Sequence, residues 1–228
     1  VTLMARDEKK LNEIVQSLDK KQGQNHQSLV VDFSNYNNFS NIIASFFSKN
    51  KIDILVNNTQ GPPAGGAKEK NIDDFQEAFD LLFKCGVLSS TLALKHMQNE
   101  NWGRIINVAS ISIKEPLNYL VLSNSIRAAL TTWAKSLSVD VAINNVTVNN
   151  ILTGYFDTER IEQLNTKKAE KMKISASEVR KAMEESVPMK RLGKPEEYAN
   201  LVCFLASDQA GYITGTNIPI DGGLLRSF

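Results

Sequence analysis

Short apolar runs alternate with longer amphipathic stretches along the whole chain. The short runs have the length of strands, and the amphipathic stretches repeat their apolar residues at helical spacing. The pattern predicts strands at 1–5, 28–32, 52–56, 104–109, 146–152 and 213–220. It predicts helices at 72–98, 120–143 and 195–206, and two earlier helices around residues 11–18 and 39–47. Such alternation is typical of a parallel sheet covered on both faces, the doubly wound α/β fold.

The stretch 157–186 departs from this alternation. It is highly charged and carries only scattered apolar residues, which predicts a mobile helical excursion at about 157–187. The sequence contains no internal repeat and no low-complexity linker. Its 228 residues therefore predict one Rossmann-type domain that spans 1–228.

Composition and charge narrow the possible partners. Hydrophobic residues make up 42% of the chain and charged residues 22%, and the net charge is +1. So balanced a charge creates no field that would recruit nucleic acid or an acidic membrane surface. No apolar run approaches the roughly 20 residues that cross a bilayer, and no signal segment opens the sequence, so we expect a cytoplasmic protein.

The cysteines and histidines suggest neither a disulfide nor a metal site. Cys85 and Cys203 are isolated thiols within apolar helical patterns, which predicts that both are buried and reduced. His26 and His96 have no cysteine or histidine partners at metal-binding spacing, so we expect no metal.

Several stretches resemble the short-chain dehydrogenase/reductase family. The longest is RLGKPEE at 191–197, continued by FLASD at 204–208, YITGT at 212–216 and DGG at 221–223. The others are DILVNN at 53–58, GRIINVAS at 103–110 and VTVNNILTG at 146–154. The resemblance covers essentially all of residues 1–228. It implies a 3-oxoacyl-reductase-like enzyme that moves a hydride between a nicotinamide cofactor and a carbonyl or secondary alcohol substrate.

The family opens with a strand, a glycine-rich turn and a helix that receives the pyrophosphate. This sequence begins at what resembles the second strand. In the doubly wound order the first strand lies between the strands at 1–5 and 52–56, and its absence leaves exposed edges on both sides of a gap. We therefore expect that one βα unit of about 30 residues is lacking.

Two polar residues after the first two predicted strands are candidates for the adenosine half of the cofactor, because ligands collect beyond the carboxyl ends of parallel strands. The resemblance implies that Asp32 hydrogen-bonds the adenine, with the backbone N–H of Phe33 nearby. Alternatively, Asp32 caps the following helix. Arg6 offers bidentate contacts to a 2′-phosphate and favours NADP over NAD; otherwise it is a surface charge.

Further cofactor contacts are implied after the later strands. Asn58 and Thr59 occupy the loop that resembles the family's Asn-Asn-Ala-Gly, with Gln60 in place of its glycine. Gly154 follows the strand at 146–152. Thr158 matches the family threonine that binds the nicotinamide carboxamide, although a threonine there can also be a helix N-cap.

The catalytic positions keep the family's spacing with other residues. The family places a tyrosine thirteen residues after its serine and a lysine four residues later. Counted from Ser110, these positions hold Ser123 and Arg127, and the run AALTTWAKSL at 128–137 excludes a shift of register. The family's asparagine is replaced by Leu82, and the proline before the glycine by Thr153.

These replacements leave three hypotheses. Ser123 is a poor acid at neutral pH, whereas Arg127 still offers hydrogen bonds to a ribose or phosphate and a permanent charge to an alkoxide. Tyr119 is the nearest phenol and is either a displaced proton donor or an aromatic residue of the substrate loop. The protein is accordingly an oxidoreductase with an atypical proton path, a nucleotide-binding sensor or partner with little turnover, or a structural relative without cofactor.

The two long predicted helices also indicate self-association. They carry apolar residues on more than one face, among them Leu88, Leu92, Leu130 and Trp133. A helix that is apolar nearly all round is buried beyond its own sheet. We therefore expect a homo-oligomer, a tetramer or a dimer.

Overall fold

Strands and helices alternate along the computed structural model, which describes residues 1–227; Phe228, the last residue of the predicted domain, lies outside the described residues. The strands are β1 (Thr2–Ala5), β2 (Gln27–Val30), β3 (Ile54–Asn57), β4 (Gly103–Ser110), β5 (Val146–Thr153) and β6 (Asn217–Ile220). The helices are α1 (Glu8–Ser17), α2 (Tyr36–Phe47), α3 (Ile72–Ala78), α4 (Cys85–Glu100), α5 (Val121–Val141), α6 (Glu159–Met172), α7 (Ala176–Ser186) and α8 (Pro195–Leu205). The predicted alternation is confirmed.

Every strand pairing is parallel, and helices cover both faces of the sheet. Strands β3, β4, β5 and β6 are neighbours in that order, and β1 pairs with β2. Successive residues of a strand point to opposite faces. Ile105 and Val148 therefore pack in the core under α4 and α5, while Ile106 and Ile151 pack with Leu205 of α8. The doubly wound fold that the sequence predicts is confirmed.

A gap separates β1 from β3. Neither strand pairs with the other in the described residues, and a cavity of about 760 Å³ lies between them. Ile54 and Val56 of β3 are 44% and 41% exposed, unlike the buried residues of β4 and β5. On the β3 side of the gap, the expected exposure is therefore present, whereas the residues of β1 are half-buried.

Three predicted elements differ in detail. The helix at 72–98 is interrupted by a π-helical segment at Phe79–Lys84, which separates α3 from α4. The strand at 52–56 begins later, at Ile54. The strand at 213–220 reduces to β6. Gly215 takes a left-handed φ of +69°, and the Val148 N–H of β5 donates to the Thr214 hydroxyl oxygen instead of to a backbone carbonyl.

Burial corrects one further prediction and bears on another. Cys85 is buried as predicted, but Cys203 is exposed because it lies on the outer face of α8. Of the apolar residues that suggested an oligomer, Leu130 is 4% exposed, whereas Leu88, Leu92 and Trp133 are half-buried, so the oligomer stays a prediction. Among residues 1–227, no helix combines the length and apolar character that crossing a membrane requires.

Candidate functional site

The carboxyl ends of β4 and β5 place Ser110 at the centre of the candidate site. Ser110 is the register partner of Thr153, and in-register residues of parallel strands point to the same face. The Ser110 hydroxyl oxygen accepts the Ser112 N–H at 3.2 Å, so its own proton stays free for a ligand oxygen. Gly154 follows, and a Cβ there would lie 2.6 Å from Asp221 Cα, so only glycine fits.

Arg6 and Asp32 lie at the ends of β1 and β2, as the sequence predicts. Arg6 is exposed, and its Nη2 donates to Gln60 Oε1 at 2.6 Å. Asp32 Oδ1 accepts the Ser34 N–H at 2.9 Å and the Ser34 hydroxyl at 2.7 Å, which hold the pKa of Asp32 below its ordinary value, with a smaller effect of Arg6. Asn35, rather than Asp32, is the N-cap of α2.

Arg127 is a buried cation beside the cavity between β1 and β3. It is 8% exposed, and its Nη1 donates to the Val108 carbonyl, which lies past the last β3–β4 pair. Burial lowers the pKa of Arg127 to about 10, partly offset by Tyr198. Among the described residues, no carboxylate forms a salt bridge with it, and a guanidinium has five donors.

The same cavity gathers several predicted cofactor residues. Phe33, Asn58 and Thr59 line it together with Arg127. The Phe33 ring also packs against Phe39 at 5.0 Å, so its side chain belongs to the core. Ser123 is half-buried on α5, one turn before Arg127, but it is not among the residues that line the cavity.

Two phenols meet near the start of α5. Tyr119 is 49% exposed, and its carbonyl accepts the Gly65 N–H at 2.8 Å. Burial, followed by the proximity of Tyr119, raises the pKa of Tyr155 to about 12. The sequence reasoning missed Tyr155, although its place directly after Gly154 was a usable signal.

Thr158 begins α6 but does not cap it with its side chain. Its hydroxyl donates to the Phe156 carbonyl at 3.4 Å instead. Thr158 therefore occupies the N-cap position of α6, as the alternative interpretation predicts, but its side chain does not accept a hydrogen bond from the helix. Glu115, five residues after Ser110, accepts the backbone N–H groups of Arg226 and Ser227 at 2.8 Å and so holds the C-terminal segment.

The replaced family positions take part in packing. Leu82 lies in the π-helical segment, is 2% exposed, and packs in the core with Leu122 and Ile126. The Thr153 hydroxyl donates to the Tyr198 hydroxyl at 3.1 Å. Neither position therefore offers the group that the family places there.

An amide ladder crosses the sheet below the site. Asn57 Nδ2 donates to Asn107 Oδ1 at 2.8 Å, Asn107 Nδ2 to Asn150 Oδ1 at 2.9 Å, and Asn150 Nδ2 to Asn217 Oδ1 at 2.8 Å. These residues are register partners on β3, β4, β5 and β6. Asn57, the first asparagine of the DILVNN stretch, thus bonds within the sheet, and Asn58 remains the candidate for binding a ligand.

The parallel sheet and the polar side chains beyond its strand ends define a Rossmann-type α/β protein. A model of the family described as Enoyl-(Acyl carrier protein) reductase matches residues 1–225. The NADPH-dependent reductase BacG of Bacillus subtilis is 33% identical over 177 residues, which are 78% of this chain and 68% of that protein. The 3-oxoacyl-(acyl-carrier-protein) reductase FabG of Rickettsia felis is 32% identical over 217 residues, 93% of this chain and 83% of that protein.

Two solved structures of reductases have a fold similar to that of this chain. The reductase YwfH, described as NADPH dependent and involved in bacilysin biosynthesis, is 28% identical with a TM-score of 0.92 and covers 100% of this chain and 89% of its own. L-Sorbose reductase from Gluconobacter frateurii, solved with NADPH and L-sorbose, is 28% identical with a TM-score of 0.90 and covers 100% of this chain and 87% of its own. The chain belongs to the short-chain dehydrogenase/reductase family.

Proposed function

We propose that this protein is a nicotinamide-dependent oxidoreductase that acts on a carbonyl or secondary alcohol of the 3-oxoacyl type, with NADP preferred over NAD. The observation that carries the proposal is the buried Arg127, whose guanidinium has unused donors beside Asn58 and Thr59. A buried cation without a carboxylate partner is costly unless a ligand satisfies it. The relatives described as NADPH-dependent reductases support the choice of ligand.

The residues present fit such a cofactor. Arg6 and Asp32 would hold its adenosine half, and Arg127 its ribose or a phosphate. Gly154 leaves room for close approach, and Thr158 keeps a hydroxyl oxygen free for the carboxamide. The cofactor, when bound, supplies or accepts the hydride; the protein supplies orientation and the proton.

The chemistry at the substrate oxygen is assigned to groups that the chain retains. Ser110 donates its free hydroxyl proton as a hydrogen bond to the substrate oxygen, and Ser123 adds a second neutral hydroxyl. The permanent charge of Arg127 favours an alkoxide without relaying a proton. Tyr119 is the candidate proton donor, and an aromatic residue of the substrate loop is its alternative role. Helices α6 and α7 take the role of the lid over the substrate.

Cofactor titration of Arg127 variants tests the proposal. Arg127→Met keeps a long, buried side chain and removes the charge. A charge-assisted hydrogen bond contributes about 1.5–3 kcal/mol, so NADPH binding should weaken by about tenfold to a hundredfold, measured by fluorescence or calorimetry. Ser123→Ala, which loses a neutral hydroxyl that water can replace, should weaken it by tenfold at most, about 0.5–1.5 kcal/mol. Equal affinities in the wild type and Arg127→Met would exclude the assigned role of Arg127.

The preference for NADP is tested separately at Arg6. Arg6→Glu should weaken NADPH binding strongly and leave NADH little affected, because the guanidinium would bind the 2′-phosphate, which NADH lacks. Gln60→Ala serves as the control, since it removes the partner of Arg6 without changing its charge. If Arg6→Glu shifts neither affinity, Arg6 is a surface charge.

The replaced catalytic residues support a second candidate function, a dinucleotide-binding sensor or partner with little turnover. Ser123 and Leu82 cannot supply the family's acid and amide groups. The two candidates differ in one measurement: the second predicts NADPH binding without oxidation by a panel of 3-oxoacyl esters and ketoses.

We also propose that the protein is a homo-oligomer in the cytoplasm. Val139 and Ile143, near the end of α5, are apolar residues that are 68% and 90% exposed, and their burial by a partner subunit would be favourable. Light scattering at micromolar concentration tests the oligomer, and a monomer would contradict it.

A further inference from the structure

Arg180 of α7 holds the segment between β5 and α6 by a two-pronged contact. Its Nη1 and Nη2 donate to Asp157 Oδ1 and Oδ2, each at 2.8 Å, and its Nε donates to Glu184 at 2.9 Å. This geometry matches the planar guanidinium to the planar carboxylate. The same hydrogen bonds hold the pKa of Asp157 below its ordinary value.

The backbone of this segment is anchored on its other side. The Gly193 N–H donates to the Tyr155 carbonyl and the Asp157 N–H to the Gly193 carbonyl, both at 2.9 Å. A Cβ at position 193 would lie 2.6 Å from the Phe156 ring, so this pairing depends on glycine. The segment is thus fixed to the loop before α8 by its backbone and to α7 by the Asp157 side chain.

The Thr158 carbonyl accepts the Glu162 N–H at 3.1 Å, but the side chain of Thr158 has only one weak contact. Its hydroxyl bond to Phe156 measures 3.4 Å, near the limit of a hydrogen bond, and its side chain makes no cap to α6. Since the Thr158 side chain has no stronger contact among the described residues, its orientation depends on the backbone of this segment, which Asp157 helps to anchor. A substitution of Arg180 that displaces Asp157 would therefore also displace Thr158, the next residue in the chain.

We infer that Arg180 is a positioning residue: through Asp157 it orients Thr158 toward the cofactor and couples cofactor binding to the seating of α7. The inference rests on the proposed function, which assigns Thr158 to the carboxamide. Arg180 itself touches neither cofactor nor substrate. The coupling gives the charged excursion a role in binding that its sequence does not reveal.

Binding of NADPH to the full chain tests the inference. Arg180→Ala should weaken binding about fivefold, which corresponds to about 1 kcal/mol for an ion pair between partly exposed side chains. Glu184→Ala is the matched control, because it removes the other partner of Arg180 and spares Asp157; its affinity should equal that of the wild type. The charge swap Asp157→Arg with Arg180→Asp should recover most of the loss.

Two further readouts separate positioning from general destabilisation. In a Thr158→Val background, Arg180→Ala should add less than about twofold, because both changes then act on one contact. Hydrogen exchange without cofactor should show faster exchange at 157–159 in Arg180→Ala than in Glu184→Ala. Wild-type affinity in Arg180→Ala, or full additivity with Thr158→Val, would overturn the inference alone. No NADPH or NADH binding by the wild type would overturn the proposed function and the inference with it.

Discussion

Replacement of Asn150 by alanine tests how much the amide ladder stabilises the sheet that carries the site. Asn150 is 1% exposed, accepts from Asn107 and donates to Asn217. The substitution removes two hydrogen bonds and leaves the Asn107 amide, which is 0% exposed, with an unsatisfied donor. Because water cannot reach that donor, its desolvation penalty is not recovered.

The expected cost follows from these contacts. An unsatisfied buried donor costs about 1–3 kcal/mol, and each lost net hydrogen bond about 0.5–1.5 kcal/mol. These terms overlap, so we expect a loss of about 2–4 kcal/mol in the free energy of unfolding. Asn217→Ala is the matched control at the ladder's exposed end, where water can replace the lost carbonyl; we expect about 0.5–1 kcal/mol.

Urea unfolding followed by circular dichroism measures both variants. The slope with urea should stay at the wild-type value if only the native state is affected. A thermal scan should show a fall in Tm of about 2–4 °C per kcal/mol for a protein of this size. If Asn150→Ala costs no more than Asn217→Ala, the ladder does not stabilise the sheet as a connected unit.

Three shorter predictions concern other groups. Arg191 holds the pKa of Glu197 at about 2, below its usual 4.5, so the stability that this pair contributes above pH 4.5 should disappear as the pH falls toward 2. The difference in Tm between the wild type and Glu197→Gln should therefore shrink over that range. A constant difference would contradict this prediction. Burial raises the pKa of Cys85 to about 12, so iodoacetamide should label the exposed Cys203 and spare Cys85 in the native protein, as mass spectrometry can show. If Tyr119 donates the proton, Tyr119→Phe should lower turnover about a hundredfold or more; unchanged turnover would leave it a substrate-loop aromatic.

The order of strands and helices could be predicted from the sequence because it is encoded locally. Alternation and helical periodicity depend on neighbouring residues, and the motifs around Ser110 and Gly154 occupy fixed places at strand ends. The spacing from Ser110 to Ser123 and Arg127 could likewise be predicted from the sequence, since Ser123 and Arg127 lie on one helix. The sequence therefore determined the fold class and the family, and the replacement of the catalytic residues stays a prediction.

The tertiary structure decided which side chains meet. Arg127 turns to the Val108 carbonyl because β4 extends past the end of β3, and no local pattern records the relative lengths of two distant strands. Asp157 meets Arg180, 23 residues later, through the packing of α7. The outer face of α8 exposes Cys203 although its helix is apolar on average. Contacts of this kind depend on where packed elements place their side chains in space, a property that spacing along the chain does not contain.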